Sequence, residues 1–260
     1  MSSEFGAGLK EWRARRRLSQ LELGLAAAVS ARHISFLETG RARPSRGMVL
    51  RLCESLRVPR AARNRLLTAA GLAPAYTARP RSTAELGPLA DAVDWMLARH
   101  APYPAFALDR HWTLTALNPP AATLFEPVGL QAGTNLLTAL TENERLRAAL
   151  DNLDAVIAAV LARLRVETAQ LGGDPVLEAA IARLARAHTA PAREEDGVLP
   201  AFLATRYRFG ERTLSLISTL AQFGAVDDIA LAELRIELLF PADADTRALL
   251  LELSRAAPAA

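Results

Sequence analysis

Two serines, Ser19 and Ser30, each stand one residue ahead of a helical run too short to be stable alone. Ser19-Gln-Leu-Glu22 is a capping box: the hydroxyl satisfies a free amide of the first turn and Glu22 reaches back. The helix it opens turns Leu23 and Ala27 inward and stops near Ala28-Val29. Ser30 caps the next helix, whose buried stripe is Ile34 and Leu37, and Gly40 closes it. Such short helices bury their stripes only against further helices. The spacing of Leu9, Trp12, Arg13 and Arg16 predicts one from about Gly8 to Arg17. Pro44-Ser45 starts a fourth, with Val49, Leu52, Cys53 and Leu56 inward. Pro59 opens a fifth, with Leu66, Leu67 and Ala70 inward, and Gly71 ends it. The expectation for residues 1–72 is an all-α five-helix domain containing a helix-turn-helix.

The formal net charge of +3 hides an asymmetry. Residues 1–80 hold 15 Lys+Arg against 5 Asp+Glu, and residues 81–260 hold 16 against 23. A basic head on an acidic body fits a polyanion-binding module, and it fits a solvated basic face equally well. The single cysteine excludes a disulfide framework and a multi-Cys zinc module, and Cys53 on an apolar helical face reads as core. The start, MSSEFGAGLKEW, has no apolar run before a cleavage site. The longest uncharged candidate, Thr213 to Val226, is 14 residues long and contains Ser, Thr and Gln. The expectation is a soluble, cytoplasmic protein that makes no use of a membrane.

The segment LSQLELGLAAAVSARHISFLETGRARPS resembles the Xre/lambda-repressor type of DNA-binding domain, and the resemblance covers about residues 8–72. It departs at Ala28, where such domains usually carry a turn glycine, and at Gly24, where alanine is usual. The resemblance implies that the third helix enters the major groove with its first turn facing base edges. Ser30, Arg32 and His33 lie on that turn, and Arg32 can form a bidentate pair with guanine. Phe36, one turn on, meets either a thymine methyl or the fourth helix. Gln20 matches the position that contacts phosphate and braces the reading helix, and Arg41 and Arg43 follow to grip the backbone. Arg13 and Glu38 match positions that form a partly buried structural ion pair. Arg57, Arg60, Arg63 and Arg65 read as solvated surface.

Residues 73–84, with two prolines and no apolar periodicity, read as a linker. The remainder, 85–260, begins with an amphipathic helix from Glu85 to His100 carrying Leu86, Leu89, Val93, Met96 and Leu97 on one side. Tyr103–Asp109 and Trp112–Leu117 read as two extended runs joined by a turn at Asp109-Arg-His111. Asn118 caps a helix opened by Pro119, and a long helical stretch from Glu142 to about Arg186 breaks at Gly172-Gly173-Asp174-Pro175. Ala190 to Gly197 reads as a polar loop. The period then becomes two. Thr205, Tyr207 and Phe209 alternate with Arg206 and Arg208; Leu214 and Leu216 oppose Ile217 and Thr219; Leu234, Ile236, Leu238 and Phe240 alternate with Arg235 and Glu237. Asp243 caps a closing helix. The order predicts an α+β domain, an antiparallel sheet covered by helices.

Residues 101–125 and 200–241 resemble the ligand-binding domain of MmyB-like transcription regulators, a PAS-like module. The resemblance implies an apolar effector of the fatty-acid type and no other cofactor. Phe106, Leu108, Trp112, Leu114, Phe125, Tyr207, Phe209, Leu216 and Phe223 are the candidate pocket walls, and the same side chains also suit a filled core. His33, His100, His111 and His188 are scattered, without metal-ligand spacing, so no metal site is expected. A haem-bearing module would use His100 or His111 as axial ligand. There is no nucleophile elbow, phosphate loop or Rossmann fingerprint, and a catalytic reading of Asp109-Arg-His111 yields to a turn. The expectation is a non-enzymatic, homodimeric regulator of double-stranded DNA at a palindromic operator, with an apolar small molecule as a further partner. The alternative keeps the DNA binding and makes the second domain a ligand-free dimerisation or partner-binding scaffold.

Overall fold

The computed structural model describes residues 4–76, 87–188, 203–223 and 233–256. They fall into two compact units, divided near residue 78. The first holds α1 (Glu4–Arg15), α2 (Gln20–Ala27), α3 (Ala31–Glu38), α4 (Arg46–Ser55) and α5 (Arg60–Ala69). Caps set the boundaries. The Ser19 hydroxyl accepts from Glu22 N and the Glu22 carboxylate from Ser19 N; Ser30 accepts from His33 N and Ser45 from Met48 N. Gly40 and Gly71 lie at positive φ beyond α3 and α5. Phe5, Leu9, Trp12, Leu23, Ile34, Leu37, Leu52 and Leu67 share one core.

Helix α1 starts four residues before the predicted Gly8. Phe5, Leu9 and Trp12 form its buried stripe, and Gly6 is what lets it dock. A Cβ on Gly6 would stand 2.5 Å from the Glu38 carbonyl oxygen and 2.6 Å from that of Leu37. A glycine that weakens an isolated helix here permits a close helix crossing.

The second unit holds α6 (Gly87–Arg99), β1 (Ala105–Leu108), β2 (Leu114–Leu117), α7 (Pro119–Phe125), α8 (Leu136–Glu142), α9 (Glu144–Ala149), most of α10 (Leu153–Leu171), α11 (Pro175–Ala187), β3 (Thr205–Phe209), β4 (Arg212–Gln222), β5 (Arg235–Pro241) and α12 (Ala244–Ala256). The strands form one antiparallel sheet, in the order β2-β1-β5-β4-β3. Helix α6 packs Val93 and Leu97 on Ala105, Ala107, Leu234 and Ile236, on one face of the sheet. The buried Asn118 ties this layer together. Its Oδ1 accepts from Ala121 N and Ala105 N, and its Nδ2 donates to Leu97 O and Tyr103 O. Both edges are covered. Gly133 N donates to Leu114 O beside β2, and Asp151 N donates to Arg206 O beside β3. Asp243 caps α12 by accepting from Thr246 N.

The structure corrects three local expectations. Trp112 is not in a strand: it sits in the turn at φ 67, with its N–H on the Asp109 carbonyl. The long helical stretch is broken again at 150–152, because Leu150 and Asn152 turn aside to pair with β3 and its approach. The Arg235/Glu237 side of β5 is also buried, since β5 is a central strand with a layer on each face. The stretch 189–202, which includes the predicted polar loop, and residues Glu85 and Leu86 lie outside the described residues.

Candidate functional site

The first unit presents the turn Ser30 to His33 at the start of α3. The Ser30 side chain is used by its own cap, at 3.2 Å from His33 N. Arg32 is exposed and its guanidinium carbon lies 5.2 Å from the centroid of the half-buried Phe36 ring. Phe36 therefore shares a face with Arg32 one turn away. Arg41 and Arg43 are exposed just past Gly40, and Arg41 N closes on Phe36 O at 2.8 Å.

Behind that face lies a polar network. Arg13 Nε donates to Glu38 Oε1 at 2.6 Å and Nη2 to Oε2 at 3.0 Å, while Nη1 reaches Leu18 O at 2.8 Å. Gln20 Nε2 donates to Glu38 Oε2 at 2.8 Å. Burial pushes the Glu38 carboxyl up, but the hydrogen bonds from Arg13 and Gln20 and the Arg13 charge outweigh it and hold it below the ordinary carboxylate value. The hydrogen bond to Glu38 raises Arg13 in turn. Gln20 is thus tied to the end of α3, which locks the angle between α2 and the reading helix. Burial pushes the Cys53 thiol up to about 12, leaving it inert. Three arginines read as solvated surface are engaged instead: Arg63 bonds Val58 O and the Tyr76 hydroxyl, Arg60 lies over the Tyr76 ring, and Arg65 bonds Leu171 O. Residues 73–76, the start of the expected linker, are held by Arg46 and Asn64.

The second unit contains a cavity of about 250 Å³ on the sheet face away from α6. Six sequence-predicted residues line it: Phe106, Leu108, Trp112, Phe125, Tyr207 and Leu216. Three do not. Leu114 is buried off the cavity wall, Phe209 ends β3 at the turn into β4, and Phe223 packs against the α6 core on the other face. The remaining apolar wall comes chiefly from Leu136, Leu140, Leu146, Val156 and Val160 on α8–α10, with Leu150 beside β3 and Leu239 on β5. Tyr207 donates its hydroxyl to Leu124 O at 3.0 Å, and burial pushes its pKa up to about 12. Thr205, Ser218, Arg163 and Glu237 supply the polar lining. Arg163 Nη1 donates to Glu237 Oε1 at 2.6 Å, and its guanidinium lies 4.6 Å from the Trp112 ring centroid. Sequence reasoning missed Arg163 and Glu237. The signal available was a charged residue on the second face of a strand in a sheet with helices on both sides.

His100 bonds Leu239 O and packs edge-on against Tyr103 and Phe240, and neither it nor His111 lines the cavity. Asp109 Oδ1 accepts from His111 N and Thr113 N, a turn-holding role. Among the described residues no three His, Cys, Asp or Glu side chains cluster as a metal site, and no helix is long and apolar enough to cross a membrane.

A helix-turn-helix head followed by an α+β module with an apolar cavity defines a DNA-binding transcription regulator. Comparison with known families bears on both parts. Residues 4–66 match a helix-turn-helix domain, and residues 89–253 match the MmyB-like transcription regulator ligand binding domain. The second match spans more than half of the chain, which therefore belongs to the MmyB-like transcription regulators. A search of curated proteins found no match.

Proposed function

We propose that the protein binds a palindromic DNA operator as a homodimer and that an apolar effector in its second domain biases this binding. Each head reads one half-site through Ser30, Arg32, His33 and Phe36, with Gln20, Arg41 and Arg43 on the phosphates. The effector acts only through a difference in affinity between two arrangements of the heads, since equal affinity shifts nothing. The observation that carries the ligand reading is the cavity itself. About 250 Å³ remains open between the sheet and α8–α10, walled mainly by leucine, valine and aromatic side chains. The apolar character of that wall is what suits it to the chain of an apolar ligand.

The test is native mass spectrometry and solvent extraction of the purified protein, followed by DNA binding with and without the extracted molecule. A co-purifying apolar molecule that changes operator affinity supports the reading. A protein that carries nothing, and whose DNA affinity no apolar molecule alters, is a regulator with a scaffold as its second domain. A monomer on a single half-site would remove the homodimer.

A further inference from the structure

Helix α6 carries on its solvent side a pattern that is symmetric about one residue. Trp95 stands at the centre, 62% exposed, and its ring lies outside the core that α6 makes with the sheet. Two residues away on either side, Val93 and Leu97 turn to the sheet and are buried. Three residues away are two alanines, Ala92 and Ala98. Four residues away are two opposite charges, Asp91 and Arg99, both exposed. Positions four apart on a helix lie one above the other, so Asp91, Trp95 and Arg99 form a single ridge that faces away from the core. The Arg99 guanidinium carbon lies 5.8 Å from the Trp95 ring centroid, which keeps that charge on the ridge.

We infer that this ridge is where two copies of the chain pair, α6 against α6, antiparallel, with the two-fold axis at Trp95. The inference rests on the homodimer reading and names its surface. A two-fold interface brings the same patch of both copies together, so the patch must be complementary to itself. An antiparallel pair centred on Trp95 sets residues equally far before and after it opposite each other. Indole then meets indole, Ala92 faces the partner's Ala98, and Asp91 faces the partner's Arg99 at both ends. The alanines let the helices approach, the two rings supply apolar area, and the two ion pairs fix direction and register. A parallel pair would set Asp91 on Asp91 and Arg99 on Arg99, and like charges repel. Helix α6 is about 20 Å long, and one face of it is smaller than the ~800 Å² per partner of a standard interface, so pairing in the micromolar range is expected. Two half-sites on one duplex raise the effective concentration of the copies and complete the dimer there.

Sedimentation equilibrium of the full chain is the test. The wild type is expected to dimerise, and Trp95→Ala to weaken dimerisation about tenfold or more. Asp91→Arg puts arginine at both ends of the ridge, and Arg99→Asp puts aspartate at both ends. Each variant alone is expected to lose the dimer, and an equimolar mixture of the two to regain it, since every facing pair is then of opposite charge. Recovery on mixing excludes misfolding as the cause of either loss. A mixture no more associated than its parts overturns the inference, as does a dimer that Trp95→Ala leaves unchanged; in both cases a wild-type dimer stands on another surface. A wild type that stays monomeric well above the micromolar range overturns the homodimer reading, and this inference with it.

Discussion

The Arg32 guanidinium lies 5.2 Å from the centroid of the Phe36 ring, one turn further along α3. The ring is thus placed to act as a platform for the arginine, and we propose that the two read one base pair together. A stacked guanidinium keeps its planar fork oriented and loses less freedom when it meets a base. Arg32→Ala is expected to cost about 1–3 kcal/mol of specific binding and to relax preference at one base pair. Phe36→Ala is expected to weaken preference at that same base pair, and Phe36→Tyr to retain it. Binding to a panel of single-base operator variants checks this. Loss of preference at a different base pair on Phe36→Ala would make the ring a reader in its own right.

Arg43 is exposed beyond α3, where the proposed function has it grip phosphate. Arg43→Ala is expected to weaken binding to all sequences alike and to lower the slope of log affinity against log salt by about one. Titration across a range of salt concentrations measures the slope, and an unchanged slope removes Arg43 from the contacts.

Glu38 gives the head an acid sensitivity whose sign follows from its network. Burial alone would raise its pKa, but the bonds from Arg13 and Gln20 win and the folded value lies below the ordinary 4.5. A group depressed by folding contributes stability that is complete above its unfolded pKa and lost as pH falls through its folded pKa. Glu38→Gln is expected to be less stable than wild type at neutral pH, with the gap closing as pH falls below 4.5. Denaturant unfolding at a series of pH values reads the gap, and a gap that stays constant into acid would place the stabilisation elsewhere.

Gly24 and Ala28 form a second pair whose roles look exchanged. Ala28 adopts the left-handed conformation at φ 52, where glycine is the usual choice, while Gly24 lies under the next turn. A Cβ on Gly24 would stand 2.5 Å from the Val29 carbonyl oxygen. Gly24→Ala is expected to destabilise the head by about 1–3 kcal/mol through overpacking against backbone. Ala28→Gly is expected to stabilise it by up to about 1 kcal/mol, as relief of strain exceeds the added freedom of the unfolded chain. Thermal unfolding of both variants checks the two signs.

The legible parts of this molecule were those written in local chemistry. Ser19, Ser30, Asn118 and Asp243 cap the helices that their neighbours predicted, because a cap is decided within three residues. The start of α1 was missed because Gly6 has a reason only in tertiary contact, against the end of α3. The cavity was half legible for the same reason. Alternation along the strands exposed Phe106, Tyr207 and Leu216, but which layer of leucines faces them depends on how α8–α10 fold back. Phe223 stands an odd number of residues after Leu216, so the alternation itself carries it to the opposite face, with Ile217 and Thr219. The burial of Arg235 and Glu237 is legible only once β5 is known to be a central strand covered on both faces, since two charges on one strand face ordinarily mark the solvent side.

The two faces of the sheet offer a last contrast. Val93 packs at 0% exposure against Ala105, Ala107 and Ile236, whereas Val160 lines the cavity on the other side. Substituting phenylalanine at each asks whether the two environments differ. Val93→Phe forces extra volume into a filled layer and is expected to cost about 1–3 kcal/mol. Val160→Phe places the same ring into open space, so stability is expected to change by less than about 1 kcal/mol, with new contacts offsetting lost rotamer freedom. The same substitution is expected to abolish uptake of an apolar probe by the full-length protein. Unfolding curves and probe titration of the two variants read both effects. Equal destabilisation by the two substitutions would mean that the space beside Val160 closes in solution, leaving a core where a ligand site was inferred.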